Sequence, residues 1–139
     1  MKTILAVLSL VLLLAPASRM CAADKPEDVA QAAAEQWLAL IDASNFAGSW
    51  ETAAPLFQKA VSQADWEKAL KSVRVPLGAL GSRKLKSAKY TKTVPEAPDG
   101  EYVILQFETD FAEKKGAVET VTPMLDADGK WKVAGYYIK

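Results

Sequence analysis

The hydrophobic period of this chain changes from 3.6 to 2 at Ser82, and that change limits the folds open to it. Helices written first and strands second favour an α+β arrangement. The first helix is expected over residues 24–43. Asp24 offers a cap, Pro26 suits the first turn, and Glu27 follows the cap by three residues. Val29, Ala33, Trp37, Leu40 and Ile41 would form its apolar face. Ser44 to Gly48 breaks the pattern. Ser49 then reads as the cap of a second helix carrying Trp50, Ala53 and Ala54, with Pro55 either ending it or opening a continuation through Leu56, Phe57, Ala60 and Val61. Ser62 to Asp65 opens a third helix whose buried stripe is Trp66, Leu70 and Val73. Pro76, Gly78 and Gly81 end or kink it.

Four strands follow. Arg83 to Thr93 has few large apolar residues, and Val94 to Gly100 is a Pro/Asp/Gly loop. In Tyr102 to Phe111, Val103, Leu105, Phe107, Thr109 and Phe111 face one way. Tyr102, Ile104, Gln106, Glu108 and Asp110 face the other. Ala117 to Leu125 is the third strand, with Pro123 marking an edge or a bulge. Asp126-Ala127-Asp128-Gly129 is a turn. In Trp131 to Ile138, Trp131, Val133, Gly135 and Tyr137 are expected inward, opposite Lys132, Ala134, Tyr136 and Ile138. The expected fold is α+β, with three N-terminal helices packed in the concave side of a curved four-stranded antiparallel sheet. Trp37, Trp50 and Trp66 would meet Leu105, Phe107 and Trp131 there, each large aromatic burying roughly 150–250 Å².

The N-terminus carries a different signal. Lys2, an apolar run from Ile4 to Ala15 broken only by Ser9, and the Cys21-x-Ala23 triplet read as a secretory leader. The run falls short of the about 20 residues that a membrane-spanning helix needs. The expected organisation is a signal peptide over 1–23 and a single soluble domain over 24–139, exported to the periplasm. Lipid anchoring at Cys21 is the weaker reading, because Ser18-Arg19-Met20 lacks the small residues of a lipidation box. The chain has 17 basic and 17 acidic residues, and losing Lys2 and Arg19 leaves 15 against 17. Such a balance gives no reason to expect nucleic acid. Cys21 is the only cysteine, so a domain starting at Asp24 is held by its core rather than by disulfides. Histidine is absent, which removes Ser–His and Cys–His nucleophile pairs and His-based metal sites.

Two stretches carry a family resemblance. They are Ala34-Glu35-Gln36-Trp37-Leu38-Ala39-Leu40-Ile41-Asp42 and Val118-Glu119-Thr120-Val121-Thr122-Pro123-Met124-Leu125-Asp126. Both resemble the bacterial secreted domain-of-unknown-function family 4019. The order of elements, ending in the meander through Asp128 to Tyr137, resembles the nuclear-transport-factor-two-like (cystatin-like) fold, in which a half-cone sheet encloses helices. The family implies no activity and no catalytic residues. Enzymes of the superfamily commonly place Asp, His and Tyr in the cone, whereas this chain has no His and no acid read here as inward-facing.

The remaining constellations favour structure over chemistry. Gln106, Glu108 and Asp110 share a strand face, opposite the apolar parity, and read as its solvated side. Asp126 to Gly129 lacks the further ligands of a calcium loop. No Ser precedes a Lys by three residues, and no phosphate loop is present. Lys68 to Lys92 holds eight basic residues and no acid, while Glu96 to Asp128 holds nine acids. An anionic partner would suit such a patch, but lysines that protect an edge strand and pair with neighbouring acids explain it more simply. The candidate pocket lining is Trp37, Trp50, Phe57, Phe107, Thr109, Trp131 and Tyr137, read chiefly as core but able to take a small apolar ligand if the cone is hollow. Ile104, Tyr136 and Ile138 are the candidate outer-face interface for a homodimer. The expected function is a non-enzymatic binding or interaction module, with no cofactor, no metal, no catalytic residue and no nucleic acid. The alternatives are a His-free dehydratase or isomerase using Tyr137 or a buried carboxylate, and a structural subunit acting through its outer sheet face.

Overall fold

The computed structural model describes residues 24–139. The expected leader over 1–23, with Cys21, lies outside the described residues.

Among the described residues, four helices precede the sheet rather than three. α1 (Pro26–Asp42) starts at the proline, with Lys25 rather than Asp24 at the N-cap and no side-chain capping bond. Its buried stripe is Ala30, Ala34, Trp37, Leu38 and Ile41. That stripe is rotated from the expected one and leaves Val29 exposed. Alanines at 30, 32, 33 and 34 make several stripes equally apolar, and the sheet selects the one whose small residues allow close approach.

α2 (Phe46–Glu51) is capped by Asn45, whose side chain accepts from the Gly48 amide at 3.0 Å. Ser49 is therefore inside a helix, and it is wholly buried. Its hydroxyl donates to the Phe46 carbonyl at 2.7 Å and accepts from Trp66 Nε1 at 3.0 Å, while its carbonyl accepts from Trp37 Nε1 at 2.7 Å. Pro55 opens a separate α3 (Pro55–Ala60). α4 (Gln63–Val73) is capped by Ser62, as its sequence predicts, and buries Trp66 and Leu70. Val73 stays exposed because the chain turns away through a 3₁₀ turn at Val75–Leu77, closed by Gly78 at φ +78°.

The strands are β1 (Leu80–Thr91), β2 (Tyr102–Phe111), β3 (Lys114–Leu125) and β4 (Trp131–Ile138). They form one antiparallel meander in the order β1-β2-β3-β4. Val103, Leu105, Phe107, Thr109 and Phe111 are all buried against the helices. Tyr102 is also buried, though it belongs to the outer parity. Its hydroxyl donates to the Pro98 carbonyl at 2.6 Å, which ties it to the 92–100 loop.

A bulge overturns the expected faces of β4. Thr122 pairs with Gly135, but Pro123 pairs with Val133, so Ala134 is an extra residue on β4. One inserted residue reverses the alternation, since side chains repeat every two positions. Val133 and Tyr136 therefore both face the helices, and Tyr137 faces outward at half exposure. Pro123 sits at this irregularity, where its missing N–H breaks the ladder least.

Aromatic rings fill the concave side. Phe57 meets Trp66 edge-on at 4.8 Å, Tyr136 meets Trp37 at 5.3 Å, and Trp37 lies 6.0 Å from Trp66. Such pairs add about 0.5–1.5 kcal/mol each beyond area burial.

Candidate functional site

A chain of ionisable groups runs through this apolar layer. Glu119 on β3 is completely buried. Its Oε1 accepts from Thr109 Oγ1 at 2.6 Å and from Arg83 Nε at 2.7 Å, and its Oε2 accepts from the Tyr136 hydroxyl. Arg83 on β1 also grips Asp42 of α1 with both terminal nitrogens, at 2.8 and 3.1 Å. Arg74 then donates to Asp42 at 3.2 Å and to the Gly78 carbonyl at 2.6 Å, with its guanidinium 4.4 Å from the centre of the Phe111 ring. The network joins α1, the end of α4 and all four strands.

Its electrostatics favour a fixed structure over proton transfer. Burial pushes the Tyr136 phenol well above its ordinary value, and the Glu119 charge and hydrogen bond push it further. Burial alone would lower the Arg83 pKa, but the hydrogen bonds and charges of Asp42 and Glu119 outweigh it and raise it. Two acids balance two bases. Glu119 already accepts three hydrogen bonds and meets no solvent, so a substrate has neither access nor much acceptor capacity to use.

The expectation that no acid faces inward is thus corrected. Glu119 shares its parity with Ala117, Val121 and Pro123, and Arg83 shares its own with Leu85. Charges in step with apolar residues were the signal available. The lysines of β1 and the outer acids lie where edge protection requires them. Lys86 pairs with Glu108 at 3.1 Å with both half exposed, and Asp110 accepts from the Gly116 amide. At the 126–129 turn, Lys132 Nζ sits between Asp126 and Asp128 at 2.7 and 2.9 Å. That ammonium occupies the place a cation would take.

The candidate pocket residues do not gather around one void. Trp37, Phe57, Phe107 and Thr109 are packed in the core. Trp50 is half-buried, donating to the Val61 carbonyl at 2.9 Å. Trp37 and Trp131 meet at an open cleft of about 320 Å³ between α1 and β4, with Ala33, Leu40 and Lys132. Tyr137 is on the opposite side of the sheet, displaced by the Ala134 bulge. The same bulge separates the three candidate interface residues. Ile104 is on the outer face opposite Lys89, whereas Tyr136 and Ile138 face the helices.

Tyr136, Tyr137 and Ile138 of β4 border a groove of about 250 Å³, Tyr137 lying between the other two along the strand, and the other wall is Trp66, Ala69, Leu70 and Val73 of α4. The free edge of β4 runs beside it. Lys139 exchanges backbone hydrogen bonds with Val118 of β3, both at 2.9 Å. By antiparallel alternation, Tyr137 also points its backbone groups at β3, while Tyr136 and Ile138 point theirs outward. Further along the edge, the Val133 carbonyl accepts from the Ala54 amide at 2.8 Å. The backbone groups of Tyr136 and Ile138 have no partner among the described residues.

A family model described as "protein of unknown function (DUF4019)" matches residues 33–136. No curated protein and no solved structure matches the chain. The likeness to the nuclear-transport-factor-two-like fold therefore rests on element order.

Proposed function

The chain belongs to the DUF4019 family, which brings no activity with it, and from its own geometry we propose that it is a non-enzymatic interaction module. It binds an extended, alternately apolar segment of a protein partner by adding that segment to the free edge of β4. One observation carries this reading: unpaired backbone groups at Tyr136 and Ile138 flank an apolar groove. Main-chain bonds would supply affinity, and the groove would select alternate side chains. The leader-like N-terminus supports a place of work outside the cytoplasm, in the periplasm.

Hydrogen exchange tests the reading. A panel of extended peptides with alternating apolar residues should protect the Tyr136 and Ile138 amides, while those of the β1 edge stay unchanged. Unaltered exchange at both amides across the panel would refute it.

A further inference from the structure

Resting on that strand-addition reading, we propose that the segment on the β4 edge is β4 of a second copy, paired antiparallel about a two-fold axis at Tyr137.

The two edges of the sheet are treated differently. β1 carries exposed Lys84, Lys86 and Lys89 and two register shifts, at Leu80/Ser82 and Leu85/Ser87. These features discourage pairing with another strand. Gly135 to Ile138 on β4 carries no charge and no proline. This stretch, beyond the Ala134 bulge and Lys132, is the part of the edge free of such protection, and in a chain that protects its other edge it is suited to being covered.

The spacing of the free groups is self-complementary. With Tyr137 on the axis, Tyr136 of one copy stands opposite Ile138 of the other, and the reverse. Both residues point their N–H and C=O outward, so these two positions form hydrogen-bonded pairs with four new backbone bonds. Tyr137 then stands opposite its own copy in a non-hydrogen-bonded pair, where side chains approach most closely. The half-exposed phenol ring on the outer face is covered by its counterpart. On the helix side, Ile138 of each copy enters the other's groove beside Tyr136, against Ala69, Leu70 and Val73. The exposed Val73 loses water contact in the same step.

Sedimentation and cross-linking test this on the full chain in a Cys21→Ser background. A small interface of this kind calls for a concentration series from roughly 1 to 200 μM. The mass should double across the series, and Tyr137→Lys, which sets like charges opposite each other, should remain monomeric with an unchanged circular dichroism spectrum. Tyr137→Cys should oxidise to a covalent dimer, because a non-hydrogen-bonded pair holds its Cα atoms about 4.5 Å apart, within disulfide reach. Ile138→Cys faces Tyr136 rather than itself, and Thr122→Cys is remote from the edge, so both should cross-link at least tenfold more slowly. A monomer at every concentration, or equal cross-linking at the three positions, overturns the second copy. If the monomer still protects its edge amides with the peptides above, strand addition stands and only the identity of the strand is lost. If neither occurs, the edge reading itself falls.

Discussion

Replacing Glu119 with alanine tests whether the buried network holds the sheet together. The substitution removes three acceptor contacts at once. Arg83 keeps Asp42 but loses its second carboxylate, and the Thr109 and Tyr136 hydroxyls are left in a dry layer. Breaking a buried pair by removing one partner costs about 3–5 kcal/mol. An unpaired buried hydroxyl alone costs about 1–3 kcal/mol, and these losses overlap rather than add. Against a domain stability of about 5–15 kcal/mol, Glu119→Ala should remove about a fifth or more. With a urea slope of about 1–3 kcal/mol per M, the unfolding midpoint should fall by about 2 M. Glu108→Ala is the control: its partner Lys86 is half exposed and screened, so the cost should stay within about 1 kcal/mol. The double change Arg83→Met with Glu119→Leu should cost less than the sum of its parts by about 0.5–3 kcal/mol. If Glu119→Ala unfolds within about 1 kcal/mol of Glu108→Ala, the network contributes little and the reasoning fails.

Tyr136 gives a pH signature. Its folded pKa is raised first by burial, then by Glu119, while an unfolded phenol titrates near about pH 10. The stabilisation is therefore complete below pH 10. It is lost as pH rises beyond that value, at up to about 1.4 kcal/mol per pH unit, because the folded state retains a proton that the unfolded chain releases. Denaturation at pH 8 to 11 should show a steeper fall in the parent than in Tyr136→Phe, where Tyr90, raised by its hydrogen bond to Glu101, still contributes; parallel curves would refute it. Ser49→Ala strands the Trp66 indole N–H and should cost about 1–3 kcal/mol by chemical denaturation, with a red-shifted tryptophan emission. Hydrogen bonds to Lys132 lead the causes that lower the Asp126 and Asp128 pKa values. The turn's stabilisation is present above the unfolded carboxylate value, near about pH 4, and is lost on acidification. NMR titration should show both carboxylates moving up towards ordinary values in Lys132→Met, and unmoved values would refute the clamp.

Much of the fold was legible because periodicity reports burial. The β2 alternation matches the buried set at every position but Tyr102, which the 92–100 loop covers, and the Ser62 cap starts α4 as expected. Less was legible where several patterns fit equally well. The alanine-rich α1 offered more than one apolar stripe, and only contact with the sheet chooses between them. The β4 faces were misassigned because a bulge arises from the pairing partner, and nothing local to Ala134 announces it. That single residue moved Tyr136 inward and Tyr137 outward, reversing their expected roles. The ionic network was missed for a related reason. Glu119 among Ala117 and Val121 reads as an interruption until Arg83, from a strand two positions away in the sheet, is seen to meet it.

The network also orders events in time. Its members come from the first helix, the end of the fourth helix and all four strands, with Asp42 and Tyr136 nearly the whole domain apart in sequence. As the polypeptide enters its folding compartment N-terminus first, early helices and the first hairpin can form while Glu119 and Arg83 still lack their last neighbour. The charged layer can only be sealed when β4 arrives, so the slow, distant contacts that limit folding speed are the ones that complete the interior.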